Sequence, residues 1–270
     1  EKDIDAIAIT YGPGLIGSLL VGVETAKTLS FAFNKPIVPV NHLLAHLFAN
    51  FIAVNREPKT VNFPFIGLIV SGGHTDLLYF ESIGKFKWLG GTRDDAAGEA
   101  LDKVGRLLGL KYPAGAEIER RAKIGSKTKI RFKSPIMDEE TFDFSFSGLK
   151  TEVLRYVQKN LTVNGERITN NDLVNKICFA VQKAVIDVLV KKTLDATRKY
   201  NCKTILLGGG VSANKTLLEQ FKVHSSQFTV ITPKQEYCTD NGAMIGAYAL
   251  LNYKPKNYQK IHAEPDLYFD

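Results

Sequence analysis

The sequence predicts an α/β protein of two lobes with a ligand cleft between them, and three observations carry that prediction. Short apolar runs end in glycine-punctuated turns that open helices, at Tyr11-Gly-Pro-Gly-Leu-Ile-Gly17 and at Gly208-Gly-Gly-Val-Ser-Ala-Asn214. Hairpin-like pairs of runs occur beside these β–loop–α units, so the sheets are mixed. One long apolar stripe, Leu173, Ile177, Val181, Ala184, Val188 and Leu189, marks a helix lying along a core. We expect lobes at 1–94 and 95–235, with 236–270 returning to the cleft and the first lobe.

The first apolar run, 5–10, reads as a strand; the turn after it opens a helix of roughly 15 residues. Ile37 to Val40 is a short strand, and Asn41 is placed to cap a helix over 41–54. Two strands, 63–70 and 75–80, flank Ser71-Gly-Gly-His74, and 86–89 adds a third. Ala97, Leu101, Val104 and Leu108 recur at helical spacing within 95–108. The stretch 125–147 reads as an irregular, charged excursion, followed by helices over 148–159 and 171–199. A strand at 203–207 enters the second glycine loop and a helix. The last strand is 228–231, and Asp240 begins the last helix.

With 270 residues, 44% apolar and 23% charged, the composition is that of an ordered globular chain. No apolar run reaches the ~18–20 residues that span a bilayer, and no membrane partner is expected. The opening Glu1-Lys2-Asp3-Ile4-Asp5 lacks the basic stretch and apolar core of a signal peptide, so a reducing, cytoplasmic setting is expected. A strand so close to residue 1 suggests that an N-terminal portion is absent. Cys178, Cys202 and Cys238 form no CxxC pair and read as buried or incidental thiols. The net charge of +7 suits a polyanionic partner, or simply a lysine-rich solvated surface.

Several groups carry chemistry. His42 and His46, at i and i+4, stack two imidazoles on one helix face, as a divalent ion needs; two ordinary helix histidines would look the same. Zinc peptidases with this spacing carry a general-base Glu after the first histidine, where this chain has Leu43. Asp240 is a candidate third ligand, or an N-cap. A His/His/Asp set with open positions suits iron or zinc. The loops at Ser71-Gly-Gly-His-Thr75 and 208–214 let main chain approach a phosphate or ribose, although turn glycines are commonly structural. Neither matches a Walker A or GxGxxG pattern. Asp94, Asp95, Glu99 and Asp102 surround a helix start whose small residues, Ala96, Ala97, Gly98 and Ala100, imply close packing. A solvated acidic face would also carry such carboxylates.

Eight segments, in order along nearly the whole chain, resemble the TsaD family of catalytic subunits for tRNA threonylcarbamoylation. They are 10–17, His42-Leu-Leu-Ala-His46, 68–75, 94–103, Tyr112-Pro-Ala-Gly115, Phe144-Ser-Phe-Ser-Gly-Leu-Lys150, 208–214 and Cys238-Thr-Asp-Asn-Gly242. The resemblance implies the actin-like fold shared with sugar kinases and Hsp70, its first lobe here incomplete. It implies transfer of a threonylcarbamoyl group from threonylcarbamoyl-AMP to N6 of the adenosine next to the anticodon in tRNAs reading ANN codons. By matching positions, His42, His46 and Asp240 would hold one divalent ion, Fe2+ or Zn2+. Ile69, Val70, Ser71, Gly72, Gly73, Asp102, Gly115, Glu119 and Asn214 would hold the donor. His74, Asp94, Asp95 and Glu99 would stand near the acceptor or metal as the catalytic set. Bacterial members work with TsaB-like and TsaE-like proteins, whereas mitochondrial members act as homodimers; a bacterial, cytoplasmic setting is favoured here over the mitochondrial matrix.

This sequence departs from the family in three places. The usual Gly-Ile-Glu-Thr-Ser-Cys-Asp-Glu-Thr type segment is missing, Leu44 stands where many members have Glu, and Glu119 stands where many have Asp. A catalytically silent actin-like scaffold and, with less support, a metallopeptidase are the rival readings.

Overall fold

The computed structural model describes residues 3–52, 61–133, 140–160, 162–163, 166–167, 170–223 and 226–269. The chain opens with β1 (Ile7–Gly12), crosses over through α1 (Ile16–Phe33) and returns as β2 (Ile37–Asn41), parallel to β1 with Ile7 opposite Ile37. Helix α1 buries only Leu19, Val23, Ala26 and Ser30, leaving Ile16, Leu20, Val21 and Phe31 exposed. By length and composition alone it is apolar enough to cross a membrane, although Glu24 and Lys27 interrupt its apolar run as the sequence shows.

The larger sheet has five strands in the order β5-β4-β3-β8-β9: β3 (Phe65–Val70), β4 (Thr75–Ser82), β5 (Lys85–Gly91), β8 (Thr204–Gly208) and β9 (Thr229–Ile231). Strands β3 to β5 form antiparallel hairpins, whereas β8 runs parallel to β3 with Leu68 opposite Leu207. The boundary expected at 94/95 therefore does not follow the sheets, because this layer takes strands from both sides of it. A parallel pairing between strands so far apart leaves no local mark in the sequence.

Alternation along the strands divides the core. Ile66, Leu68 and Val70 face one side with Ile205 and Leu207, and Phe65 and Ile69 face the other with Leu206. The first side is covered by α3 (Ala97–Leu107), α4 (Gly115–Ile124), α5 (Ser147–Asn160) and α6 (Asn171–Lys199). Between α5 and α6 lies a short antiparallel pair, β6 (Thr162–Val163) and β7 (Glu166–Arg167). Helix α7 (Lys215–Lys222) adds Leu217 and Phe221 to the same side. The second side is covered by α2 (His42–Phe48), a 3-10 turn Ala49–Phe51 and α8 (Gly242–Leu251).

Two helices differ from the sequence reading. Helix α2 ends at Phe48 and tightens into the 3-10 turn, and residues 53–54 of the expected helix lie outside the described residues. Helix α4 was not expected, because in Gly-Ala-Glu-Ile-Glu-Arg-Arg-Ala-Lys-Ile only Ile118 and Ala122 point inward, too short a stripe to read. After α8 the chain doubles back across the first lobe: Glu264 donates its N–H to the Tyr11 carbonyl at 2.7 Å, and Pro265 accepts from Gly14 N–H at 3.1 Å.

Candidate active site

Helix α2 exists to present two imidazoles. Asn41 caps it, its Oδ1 accepting from the N–H groups of Leu43 at 2.9 Å and Leu44 at 3.2 Å. The remaining positions, Leu43, Leu44, Ala45 and Leu47, are buried against the sheet, which leaves His42 and His46 on the face toward the cavity. Their ring centroids lie 4.8 Å apart. The helix is held close to β8, where a Cβ on Gly208 would lie 2.7 Å from the His46 carbonyl oxygen.

Asp240 meets both rings from the far end of the chain. Its Oδ1 lies 3.4 Å from His42 Nε2 and 3.3 Å from His46 Nε2. It is not the N-cap, as its position suggested. Asn241 caps α8 by accepting from Met244 N–H at 2.9 Å, so the Asp240 carboxylate is free to face the histidines. Hydrogen bonds from His42 and then His46 hold that carboxyl far below the usual carboxylate range.

The three ligand atoms all lie within 4.8 Å of one another, and this cluster of metal-binding groups comes from α2 and the approach to α8. The Asp240 separations match the ~3.4 Å edge of a tetrahedron with ~2.1 Å bonds. His46 Nδ1 is buried without a hydrogen-bond partner. A neutral imidazole carries one N–H, and an ion on Nε2 would put that proton on Nδ1. Two imidazoles and one carboxylate are the donor set of a borderline divalent ion such as zinc or ferrous iron.

The β3–β4 hairpin brings the second group. Its turn is closed by Ser71 N–H to the His74 carbonyl at 2.8 Å and by His74 N–H to Ser71 Oγ at 3.1 Å. Burial, then the charges of His42 and His46, push His74 below its ordinary value, which keeps it neutral at pH 7. Ser71, Gly72, Gly73 and His74 line a cavity of about 580 Å³ with His42, His46, Asp240, Thr10, Pro13, Gly14 and Leu15. The small residues at the start of α3 make room for this turn: Gly98 donates to the Ser71 carbonyl at 3.1 Å, where a Cβ would collide with it. Ile69 and Val70, expected among the donor contacts, have side chains in the two cores and are wholly buried.

The other expected donor contacts lie on or beside α3, α4 and α7. Asp102 accepts from Ala114 N–H at 2.6 Å, fixing the turn that starts α4 at Gly115. One turn along α4, Glu119 accepts from Lys215 N–H at 3.0 Å, and the adjacent Asn214 caps α7 while donating to Gln182 at 3.1 Å. Gly209 adopts φ +90° under the Val70 carbonyl, a conformation glycine tolerates, and so brings the second loop beside the first.

Among the described residues, Asp94, Asp95 and Glu99 do not line the cavity. Asp94 accepts from Phe146 N–H at 2.7 Å, Ser147 N–H at 3.2 Å and the hydroxyls of Ser145 and Ser147, and so caps α5 from outside. Burial pushes this carboxyl up, but those hydrogen bonds outweigh it and hold it below its ordinary value. Asp95 and Glu99 are both paired with Lys103. Sequence reasoning missed Asp76, buried on β4, whose Oδ1 accepts from Trp88 Nε1 at 3.1 Å and the Tyr268 hydroxyl at 2.5 Å. A carboxylate inside the apolar run Thr75-Asp76-Leu77-Leu78 was the one available signal.

The fold and the family can now be compared with known proteins. The chain is similar to a solved HypF of T. kodakarensis, with a TM-score of 0.68 at 16% identity over 94% of this chain and 41% of that one, a likeness of fold alone. A tRNA N6-adenosine threonylcarbamoyltransferase of Moorella thermoacetica is 45% identical over 98% of this chain and 76% of its own length. The enzyme of the same name from Streptococcus pneumoniae (strain Taiwan19F-14) is 43% identical over the whole of this chain and 78% of its own. The family profile described as "TsaD: tRNA N6-adenosine threonylcarbamoyltransferase" matches residues 1–247. Matched over 247 of its 270 residues by that profile, and 45% identical to a relative of that name, the chain belongs to the TsaD family, transferases that modify N6 of adenosine in tRNA.

Proposed function

We propose that this tRNA-modifying transferase takes threonylcarbamoyl-AMP as donor and uses one divalent ion, Fe2+ or Zn2+, held by His42, His46 and Asp240. The observation that carries the reading is the convergence of those three side chains on the rim of the cavity formed by the Ser71–His74 turn. When bound, such an ion supplies a Lewis acid for the carbamoyl oxygen. The reaction then asks little more than binding and orientation, because the acyl-adenylate is already activated. The adenosine N6 forms a bond to the carbamoyl carbon, the bond from that carbon to the phosphate oxygen breaks, AMP leaves, and N6 gives up a proton.

The chain's own residues divide this work. Main-chain N–H groups of Gly72 and Gly73 suit the phosphate, since no side chain there blocks close approach, and Ser71 holds the turn that presents them. Asn214 and Glu119 suit the ribose hydroxyls, with Asp102 and Gly115 shaping the adjoining turn. His74, kept neutral, stands beside the ligand cluster with a ring nitrogen available for hydrogen bonding. Asp94 acts by holding the Ser145–Ser147 segment, and Asp95 and Glu99 by placing Lys103. Leu43, where a peptidase needs its base, is buried. The net charge of +7 suits tRNA backbone. Relatives of bacterial origin favour a bacterial cytoplasmic setting, in which TsaB-like and TsaE-like proteins would be the partners.

The test is transfer of labelled threonylcarbamoyl to tRNA by the full-length protein with those partners. Transfer should be lost on chelation, restored by Fe2+ or Zn2+, and reduced at least ~100-fold by His46→Ala. Transfer by His46→Ala equal to wild type would refute the metal assignment.

A further inference from the structure

The end of the chain is tied into the active site at a residue that neither the reaction nor the family resemblance brought forward. Tyr268 makes a polar contact to each half of the site. Its carbonyl accepts from Asn41 Nδ2 at 2.9 Å, and Asn41 is the cap of the helix that carries His42 and His46. Its hydroxyl donates to Asp76 Oδ1 at 2.5 Å. Asp76 is 1% exposed, and the other donor to the same oxygen is Trp88 Nε1 at 3.1 Å.

Both donors therefore take Oδ1, which turns Oδ2 toward His74, 4.0 Å from its Nδ1. The fit around this group is close. A Cβ on Gly91 would collide with Asp76 Oδ1 and lie 3.1 Å from the Tyr268 hydroxyl. Trp88 and Tyr268 also meet edge to face, with centroids 5.9 Å apart.

A carboxylate buried in a strand is expensive unless its oxygens are engaged. Here the engaged oxygen faces the C-terminal segment and the other faces the histidine that lines the cavity. Burial pushes the Asp76 carboxyl up, and the hydrogen bonds from Tyr268 and Trp88 act against that rise. With Asp76 ionised, its Oδ2 on the Nδ1 side of the ring favours the proton on that nitrogen and leaves Nε2, on the opposite edge, as the acceptor.

We propose that Tyr268 is a positioning residue for the transfer reaction: it fixes Asp76 so that His74 keeps its Nδ1–H toward Asp76 and presents an unprotonated Nε2 to the cavity. This rests on the reading above that His74 stands at the reacting centre. Neither Tyr268 nor Asp76 touches substrate; both act through His74.

Tyr268→Phe is the probe, because it removes the hydroxyl and keeps the ring on Trp88 and the carbonyl on Asn41. In the full-length protein with its partners and tRNA, kcat should fall about 10-fold or more, in the range expected when the residue orienting a site histidine is lost. KM for tRNA should stay within about twofold, and bound metal at wild-type level. Asp76→Asn should reproduce the loss. The 15N shifts of the His74 imidazole in folded Tyr268→Phe should show reduced Nδ1–H tautomer, a change that mere loosening of the tail would not give. Combined with His74→Ala, Tyr268→Phe should add no further loss.

A kcat within about twofold of wild type for Tyr268→Phe, while His74→Ala is impaired, would overturn the proposal and leave the role of His74 standing. Additive losses in the double variant, or an unchanged His74 tautomer, would overturn it equally. An unimpaired His74→Ala would remove the reading of His74 and this proposal with it.

Discussion

Gly208 offers the most direct test of whether the packing of β8 sets the geometry of the histidine pair. A Cβ built there lies 2.7 Å from the His46 carbonyl oxygen, 2.8 Å from its carbon and 3.0 Å from Leu47 N. All three are backbone atoms, so no side-chain rotation relieves the contact. Gly208→Ala must push α2 away from the sheet by about 0.7 Å to reach ordinary van der Waals contact, and His46 moves with it. Overpacking of this kind costs about 1–3 kcal/mol, a fall in Tm of roughly 2–12 °C in a chain of this size. A ligand displaced by more than half an ångström should also weaken metal binding and transfer roughly 10–100-fold. Thermal unfolding and a competitive Zn2+ titration with a chelator read the two effects separately. If Gly208→Ala melts within about 1 °C of wild type and binds Zn2+ within about twofold, the sheet does not set the position of the histidines and the reasoning fails.

Two further predictions rest on separate parts of the molecule. Asp94→Ala should lower stability by about 1–2 kcal/mol through loss of the cap on α5, seen as a Tm fall of roughly 2–8 °C. Because folding holds the Asp94 carboxyl below its ordinary value, this difference is full above pH ~4 and is lost as pH falls through the lower folded value; equal Tm values for the two proteins at pH 7 would contradict the capping role. Burial pushes the Cys178 thiol up to about 12 and the Cys202 thiol up to about 11, so neither should react with iodoacetamide at pH 8 until the protein is denatured, as intact mass spectrometry would report.

What could be read from the sequence was what is local. The spacing of His42 and His46, the cap at Asn41 and the long stripe of α6 each depend on residues within a few turns of one another, and the structure has them where the sequence puts them. Asp240 was legible as a candidate ligand or as a cap, since its neighbour Asn241 caps equally well and only the fold decides which of them does. The pairing of β3 with β8 across the chain left no local mark, and α4 was missed because two inward residues make no stripe. Asp76 and Tyr268 are 192 positions apart, so their contact had no signature beyond a carboxylate in an apolar strand.

The separation of Asp240 from the histidines also sets an order of events in the cell. The two imidazoles leave the ribosome about 200 residues before Asp240, the third member of the proposed set. At ordinary elongation rates that interval is roughly 10–40 s. During it the nascent chain carries a two-histidine half-site, which divalent copper and nickel bind more tightly than ferrous iron does. Under the proposed metal reading, the ion recovered with the enzyme should therefore respond to the metals supplied in the expression medium.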